Sequence, residues 1–215
     1  MLIGIVGSAV FWIHRSKNDP LIPIIYLTAL TCAFLGAKLV YLFSEGWLIA
    51  EQEDRLLHWL TGKSVTGALL GGFIGVEGAK KVLGYQKATG DGFASILPLA
   101  LIVGRLGCLH HGCCQGISCE LGPLNRWPSV PVEISFNLLA FFLFLNFRRF
   151  GFLPNQHFHL YLISYGLFRF AHEFLRATPK PFLGLSGYQI VALILGLTGL
   201  VAFLKRRKNP PSEAA

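Results

Sequence analysis

Seven apolar stretches recur along almost the whole chain, at Leu2 to Ile13, Pro20 to Phe43, Val65 to Val82, Gly92 to Leu109, Val130 to Phe147, Phe158 to Phe174 and Ser186 to Leu204. Most reach the roughly 17 to 25 residues that a helix needs to cross a bilayer. With 53% hydrophobic and only 14% charged residues, a 215-residue water-soluble core could not hide this surface, so the surplus must face lipid. A backbone in hydrocarbon must satisfy its own hydrogen bonds. The runs lack the alternation of a barrel strand, as Phe136 to Phe147 illustrates. The expected fold class is therefore all-α, with about seven transmembrane helices. Residues 1–204 form the expected membrane domain and residues 205–215 a solvated basic tail, with no internal repeat.

Charge placement orients these helices. Arg15, Lys17, Lys80, Lys81, Lys87, Arg148, Arg149 and Lys205 to Lys208 fall on one set of alternate loops, while Arg55, Lys63, Arg126, Arg176 and Lys180 fall on the other. Eleven against five places the first set in the cytoplasm, the N-terminus outside and the C-terminus inside. The net charge of +8 is thereby explained by topology, and nucleic acid is not expected as a partner. The first stretch lacks preceding basic residues, so it reads as a short first helix rather than a signal peptide. Ser44 to Lys63, with Trp47, Trp59, Glu51, Glu53 and Asp54, reads as an amphipathic segment in the outer interface. His110 to Ser129 reads as an ordered irregular loop.

Lys38, Arg105 and Arg169 lie inside apolar stretches, where a charge costs at least a few kcal/mol near the bilayer centre. The orientation puts all three in the outer half. They either snorkel to the interface or converge on an anion, and a lipid phosphate is the anion available there. Tyr165, Arg169 and Glu173 repeat every fourth residue, with His172 and Arg176 adjacent, giving one polar helix face that also allows an Arg169 to Glu173 ion pair. Glu133 begins a span on the same outer side, and Glu77 is expected to pair with Lys80 or Lys81. Gly67, Gly71 and Gly75 make a smooth stripe suited to close helix packing.

GRLGCLHHGCCQGISC, Gly104 to Cys119, gathers Cys108, His110, His111, Cys113, Cys114 and Cys119. Three chemistries are open to it. One is a metal site, against which stand the absence of a C-x-x-C pairing and the adjacency of Cys113 and Cys114. Another is a disulfide of Cys119 with Cys113 or Cys114 in an oxidising compartment. The third is acid/base work by His110 or His111 on an incoming nucleophile.

GAKLVYLF (Gly36 to Phe43), GGFIGVEGAKK (Gly71 to Lys81), GRLGCLHHGCCQG (Gly104 to Gly116), YGLFRFAHEFLR (Tyr165 to Arg176) and GLSGYQI (Gly184 to Ile190) together resemble the prolipoprotein diacylglyceryl transferase family. The resemblance runs from about Phe34 to Leu204. It implies seven helices and a reaction at the outer face of the bacterial inner membrane. There the diacylglyceryl group of phosphatidylglycerol passes to a lipobox cysteine of a prolipoprotein, with glycerol phosphate released and no cofactor or metal. By the same resemblance Arg105 and Arg169 hold the phosphate and Tyr165 lines their cavity. His110 or His111 is the candidate base. Lys38, Gly71, Gly72, Gly104, Gly107, Gly112, Gly116, Glu133 and Glu173 are expected around the substrate. The chain departs from the family pattern at Leu70, where a histidine is expected, at Cys108 and His111, where asparagines are, and at Cys113, where a glutamate is. Two other readings accompany this one: a lipid-binding accessory protein without chemistry, and an outward-facing thiol or metal protein using Cys108 to Cys119.

Overall fold

The computed structural model describes residues 19–49, 59–121 and 124–208. The expected first helix, the Arg15, Lys17 and Arg55 charges and the acidic part of the interfacial segment lie outside the described residues. Among these residues six long helices follow one another: α1 (Leu21–Ile49), α2 (Val65–Leu83), α3 (Gly90–His111), α4 (Ser129–Arg149), α5 (His157–His172) and α6 (Gly187–Lys208). Each covers one of the predicted stretches from the second to the seventh. Four of them, α1, α3, α4 and α6, are long and apolar enough to cross a membrane. The α2 helix carries Glu77, Lys80 and Lys81, and α5 has only 16 residues before a 3-10 turn at Glu173–Leu175.

Several boundaries move outward from those read in the sequence, while α5 stops at His172, short of the predicted Phe174. The α1 helix continues through Ile49, into the stretch expected to lie along the interface, and α6 carries through Lys205 to Lys208, the start of the expected tail. The loop after α3 contains a small antiparallel pair, β1 (Ser118–Leu121) and β2 (Leu124–Arg126). Wide apolar faces, including Phe34, Leu39, Leu139 and Leu197, remain exposed on the helices. That is the surface a lipid solvent covers.

Packing proceeds pair by pair. The α1 and α2 helices lie closest, because a Cβ on Gly67 would stand 2.7 Å from the Val40 Cβ, and one on Gly75 would stand 2.7 Å from the Cys32 Cβ. Gly71 faces the Cys32 carbonyl directly. The glycine stripe is thus a backbone-to-backbone seam. Gly71→Val forces the two helices apart, and overpacking of this kind costs about 1 to 3 kcal/mol. A lowered unfolding temperature of the purified protein, with Gly78→Val as the unconfined control, checks it.

The α3–α4 and α5–α6 pairs complete the bundle, with α1–α2 packed on α6 and α3–α4 on α5. A core of Leu69, Ala94, Ala140, Phe144, Tyr161, Leu162, Tyr165 and Leu195 joins them. Between the α1–α2 pair and α3, with α5 behind, lies a cavity of about 500 Å³. Its walls are largely apolar, among them Ala33, Leu69, Phe73, Phe93, Leu97 and Leu101. Arg105, Cys108 and Cys114 line one end, and Lys80, Thr89 and Arg206 the other.

Candidate active site

The polar centre is built where the C-terminal ends of α3 and α5 meet the N-terminal ends of α4 and α6. Glu133, one turn into α4 and fully buried, is its hub. Arg105 Nη2 donates to Glu133 Oε1 at 2.7 Å, and the Tyr165 hydroxyl donates to the same oxygen at 3.0 Å. Arg169 Nη1 and Arg176 Nη1 stand 3.8 and 3.9 Å from Glu133 Oε2. Glu173, also fully buried, takes Arg169 Nη2 at 2.9 Å and Arg176 Nε at 3.3 Å. Its other oxygen accepts from Thr178 at 2.5 Å and Ser186 at 3.4 Å.

The expected Arg169 to Glu173 pair therefore forms, and so does the convergence of Arg105 with Arg169. The third converging cation is Arg176 rather than Lys38. Lys38 instead reaches the Gly62 carbonyl at 3.4 Å and lies over the Trp59 ring at 4.8 Å, away from the arginines. Glu77 pairs across to Arg206 at 4.0 Å, not with its own-helix neighbours Lys80 and Lys81. Arg176 sits outside every apolar stretch, beyond α5. Its i+3 spacing from Glu173 was the signal in the sequence.

Three guanidiniums are thus gathered around two buried carboxylates, with Glu45 and the Cys114 thiol also within electrostatic reach of Arg176. Among the described residues, Arg169 Nη1, Arg176 Nη1 and Arg176 Nε, and the facing Glu133 Oε2 and Glu173 Oε2, are buried and meet only at ion-pair distances without a hydrogen bond. Buried polar groups in that condition cost about 1 to 3 kcal/mol each, and a bound phosphate is one group that gives such donors a partner. A hydrogen-bonded ladder fixes the hub from behind: the Tyr161 hydroxyl donates to Asn137 Oδ1 at 2.8 Å, and Asn137 Nδ2 donates to the Glu133 carbonyl at 2.8 Å.

The cysteine segment folds onto this centre. Gly112 ends α3 in the left-handed conformation, φ 63°, with its N–H directed back to the Cys108 and Leu109 carbonyls. Cys114 also has φ 62°, a conformation that costs a non-glycine residue on the order of 1 kcal/mol or more. The turn brings Arg105 Nη1 within 3.7 Å of both the Cys108 and the Cys114 sulfurs. The Cys108 thiol, 3.9 Å from that of Cys114, and then the Arg176 and Arg105 guanidiniums hold the Cys114 thiol below the usual thiol range, against the opposing effect of burial. Gly116 lies against Trp127 and bridges to Arg176, tying the loop to the end of α5.

Among the other expected residues, Gly104 lines the cavity with open space where a side chain would stand, Gly72 lines it beside Ala33, and Gly107 is likewise unconfined. Gly71 belongs to the α1–α2 seam. His110 and His111 are exposed at the end of α3, with their rings 5.3 Å apart, and neither lines the cavity. No disulfide joins Cys119 to Cys113 or Cys114, the pairing that was one of the three chemistries open to this segment. Adjacent Cys113 and Cys114 do converge with Cys108, contrary to the expectation from their adjacency, because the double left-handed turn folds the chain back.

A family model described as prolipoprotein diacylglyceryl transferase matches residues 1–205. The chain is 30% identical to the phosphatidylglycerol–prolipoprotein diacylglyceryl transferase of Clostridium tetani, over 94% of this chain and 88% of that protein. It is 27% identical to transferase 2 of Clostridium perfringens, over 96% and 90% of the two chains. The Thermotoga maritima transferase is 25% identical over 100% of this chain and 82% of its own. An arginine and glutamate centre on a cavity with largely apolar walls, within a match that spans nearly the whole sequence, establishes that the chain belongs to the prolipoprotein diacylglyceryl transferase family.

Proposed function

We propose that this protein transfers the diacylglyceryl group of phosphatidylglycerol to a cysteine thiol of a prolipoprotein, at the outer face of the bacterial inner membrane. The observation that carries the reading is a cluster of three guanidiniums, Arg105 foremost, at one end of a cavity with largely apolar walls, the arrangement that one charged headgroup on two acyl chains requires. The basic ends of α2, α4 and α6 gather at the opposite end of the bundle from the arginines. Positive-inside logic then puts Arg105, Arg169 and Arg176 in the outer half, the N-terminus outside and seven helices in the membrane, counting Leu2 to Ile13.

In this reading the acyl chains lie along Ala33, Phe73, Leu97 and Leu101, and the phosphodiester meets Arg105 at the mouth. The acceptor sulfur attacks the glyceryl carbon that bears the phosphate. As the C–O bond breaks, negative charge grows on the departing glycerol phosphate, where Arg105, backed by Arg169 and Arg176, neutralises it. Glu133 and Tyr165 hold Arg105 in place and need not touch the lipid.

Purified protein in phosphatidylglycerol vesicles, given a peptide bearing the acceptor cysteine, should form a diacylglyceryl thioether and release glycerol phosphate. Gly104→Phe fills open space in the cavity without a backbone clash. It should keep the unfolding temperature while cutting thioether formation at least about tenfold, since misplacing a substrate by about 1 Å costs on the order of a hundredfold. Phosphatidylglycerol that binds but yields no thioether would support the accessory reading instead.

A further inference from the structure

Cys108, Cys113 and Cys114 present three sulfurs that all lie within 4.8 Å of one another. A zinc–thiolate bond of about 2.3 Å places the sulfurs of a tetrahedral site about 3.8 Å apart, and the Cys108 and Cys114 sulfurs are 3.9 Å apart. Small side-chain rotations suffice for the third. We propose that these three cysteines form a site for a thiophilic divalent ion of the zinc class, with a fourth position that takes the acceptor thiol. The inference rests on the transferase reading above and names how its nucleophile is prepared.

Three features of the molecule converge on it. The first is chemical: the reaction needs a thiolate, and the cavity's histidine, His159, lies toward its Lys80 and Arg206 end, while Leu70 and the exposed His110 and His111 place no base at the mouth beside Arg105. A thiol bound to a divalent ion is deprotonated outright. The second is electrostatic. Three thiolates around a divalent ion carry one net negative charge, and Arg105 Nη1 lies 3.7 Å from two of the sulfurs, as a supporting donor to metal-bound thiolates does. The third is positional. Cys113 is exposed while Cys108 and Cys114 line the cavity mouth, so an ion among them faces both the approach of a protein acceptor and the lipid phosphate. The left-handed Cys114 backbone gives a reason for its strain.

The step balances without redox chemistry. The acceptor S–H releases its proton to solvent as the sulfur takes the fourth position, and a sulfur electron pair then forms the S–C bond to the glyceryl methylene. The C–O bond to phosphate breaks, and its electron pair leaves on glycerol phosphate. The ion is unchanged.

The test uses the full chain purified in detergent, stripped with chelator and titrated with Co2+. The expected result is one equivalent of Co2+ with thiolate-to-cobalt charge transfer and the visible bands of tetrahedral coordination, bleached by Zn2+. Cys108→Ser, Cys113→Ser and Cys114→Ser should each weaken binding by at least about tenfold, while Cys119→Ser and Cys32→Ser leave it intact. A peptide with the acceptor cysteine should shift the visible bands, and its serine counterpart should not. Absence of the charge-transfer band, indifference to the cysteine peptide, or a Cys108–Cys114 disulfide in the unreduced protein overturns the proposal. Undiminished thioether formation by stripped protein also overturns it, yet leaves the transferase reading standing. A thiol-responsive cobalt spectrum with no thioether formed has the reverse meaning.

Discussion

Replacing Glu133 by alanine should destabilise the protein by about 3 to 5 kcal/mol, the cost of breaking a buried ion pair from one side. Glu133 has no exposed surface, and three guanidiniums and a phenol are arranged around its two oxygens. Without it, Arg105 loses its paired carboxylate, and Arg169 and Arg176 keep only Glu173 as an ion-pair partner. Glu133→Gln keeps the shape and an acceptor for Tyr165 but loses the charge, so it should fall between the wild type and alanine. Thermal unfolding in detergent measures the effect, with Glu77→Ala as the control. Glu77 is 45% exposed and 4.0 Å from its partner Arg206, and such pairs contribute less than about 1 kcal/mol. Added phosphatidylglycerol should recover part of the Glu133→Ala loss and phosphatidylcholine less, because only the former brings a net negative phosphate to the vacated charge. Equal effects of Glu133→Ala and Glu77→Ala would remove Glu133 from the centre of the site.

Arg105→Ala should reduce kcat/KM for thioether formation by about a hundred- to a thousandfold, the usual loss when one preorganised donor to a developing anion is removed. Its structural cost is smaller than that of Glu133→Ala, because Glu133 keeps Arg169 and Arg176 within 4 Å. The two substitutions thus separate the frame from the chemistry. Arg105→Lys keeps a charge but loses the planar fork that grips both Glu133 and a phosphate, and should recover only a minor part of the rate. A variant with wild-type kcat/KM and an unchanged unfolding temperature would exclude Arg105 from the phosphate site.

Much of this was legible in the residues. Apolar length located α1 to α6, and the rarity of charge in hydrocarbon singled out Arg105 and Arg169 before any geometry existed. What stayed hidden depended on backbone dihedrals and on contacts between distant segments. Lys38 shares the depth of the two arginines, and the choice between snorkelling and convergence stays open for it because depth is readable from sequence and azimuth is not; its helix turns it toward Trp59 and the Gly62 carbonyl. Arg176 was visible as a neighbour of the polar face, but only the 3-10 turn at Glu173–Leu175 swings it back under Glu133. Cys113 and Cys114 seemed badly placed for one ion because adjacency suggests divergence. Two departures into the left-handed region, at Gly112 and Cys114 on either side of Cys113, reverse that.

The slot between the α1–α2 pair and α3 sets how the protein meets its reactants. A molecule whose tails occupy such a slot arrives and departs sideways, within the plane of the leaflet, so its supply follows its mole fraction among neighbouring lipids rather than any bulk molarity. A water-soluble leaving fragment takes the perpendicular route. Diluting phosphatidylglycerol with neutral lipid at constant total lipid therefore slows turnover, whereas diluting the vesicles themselves does not.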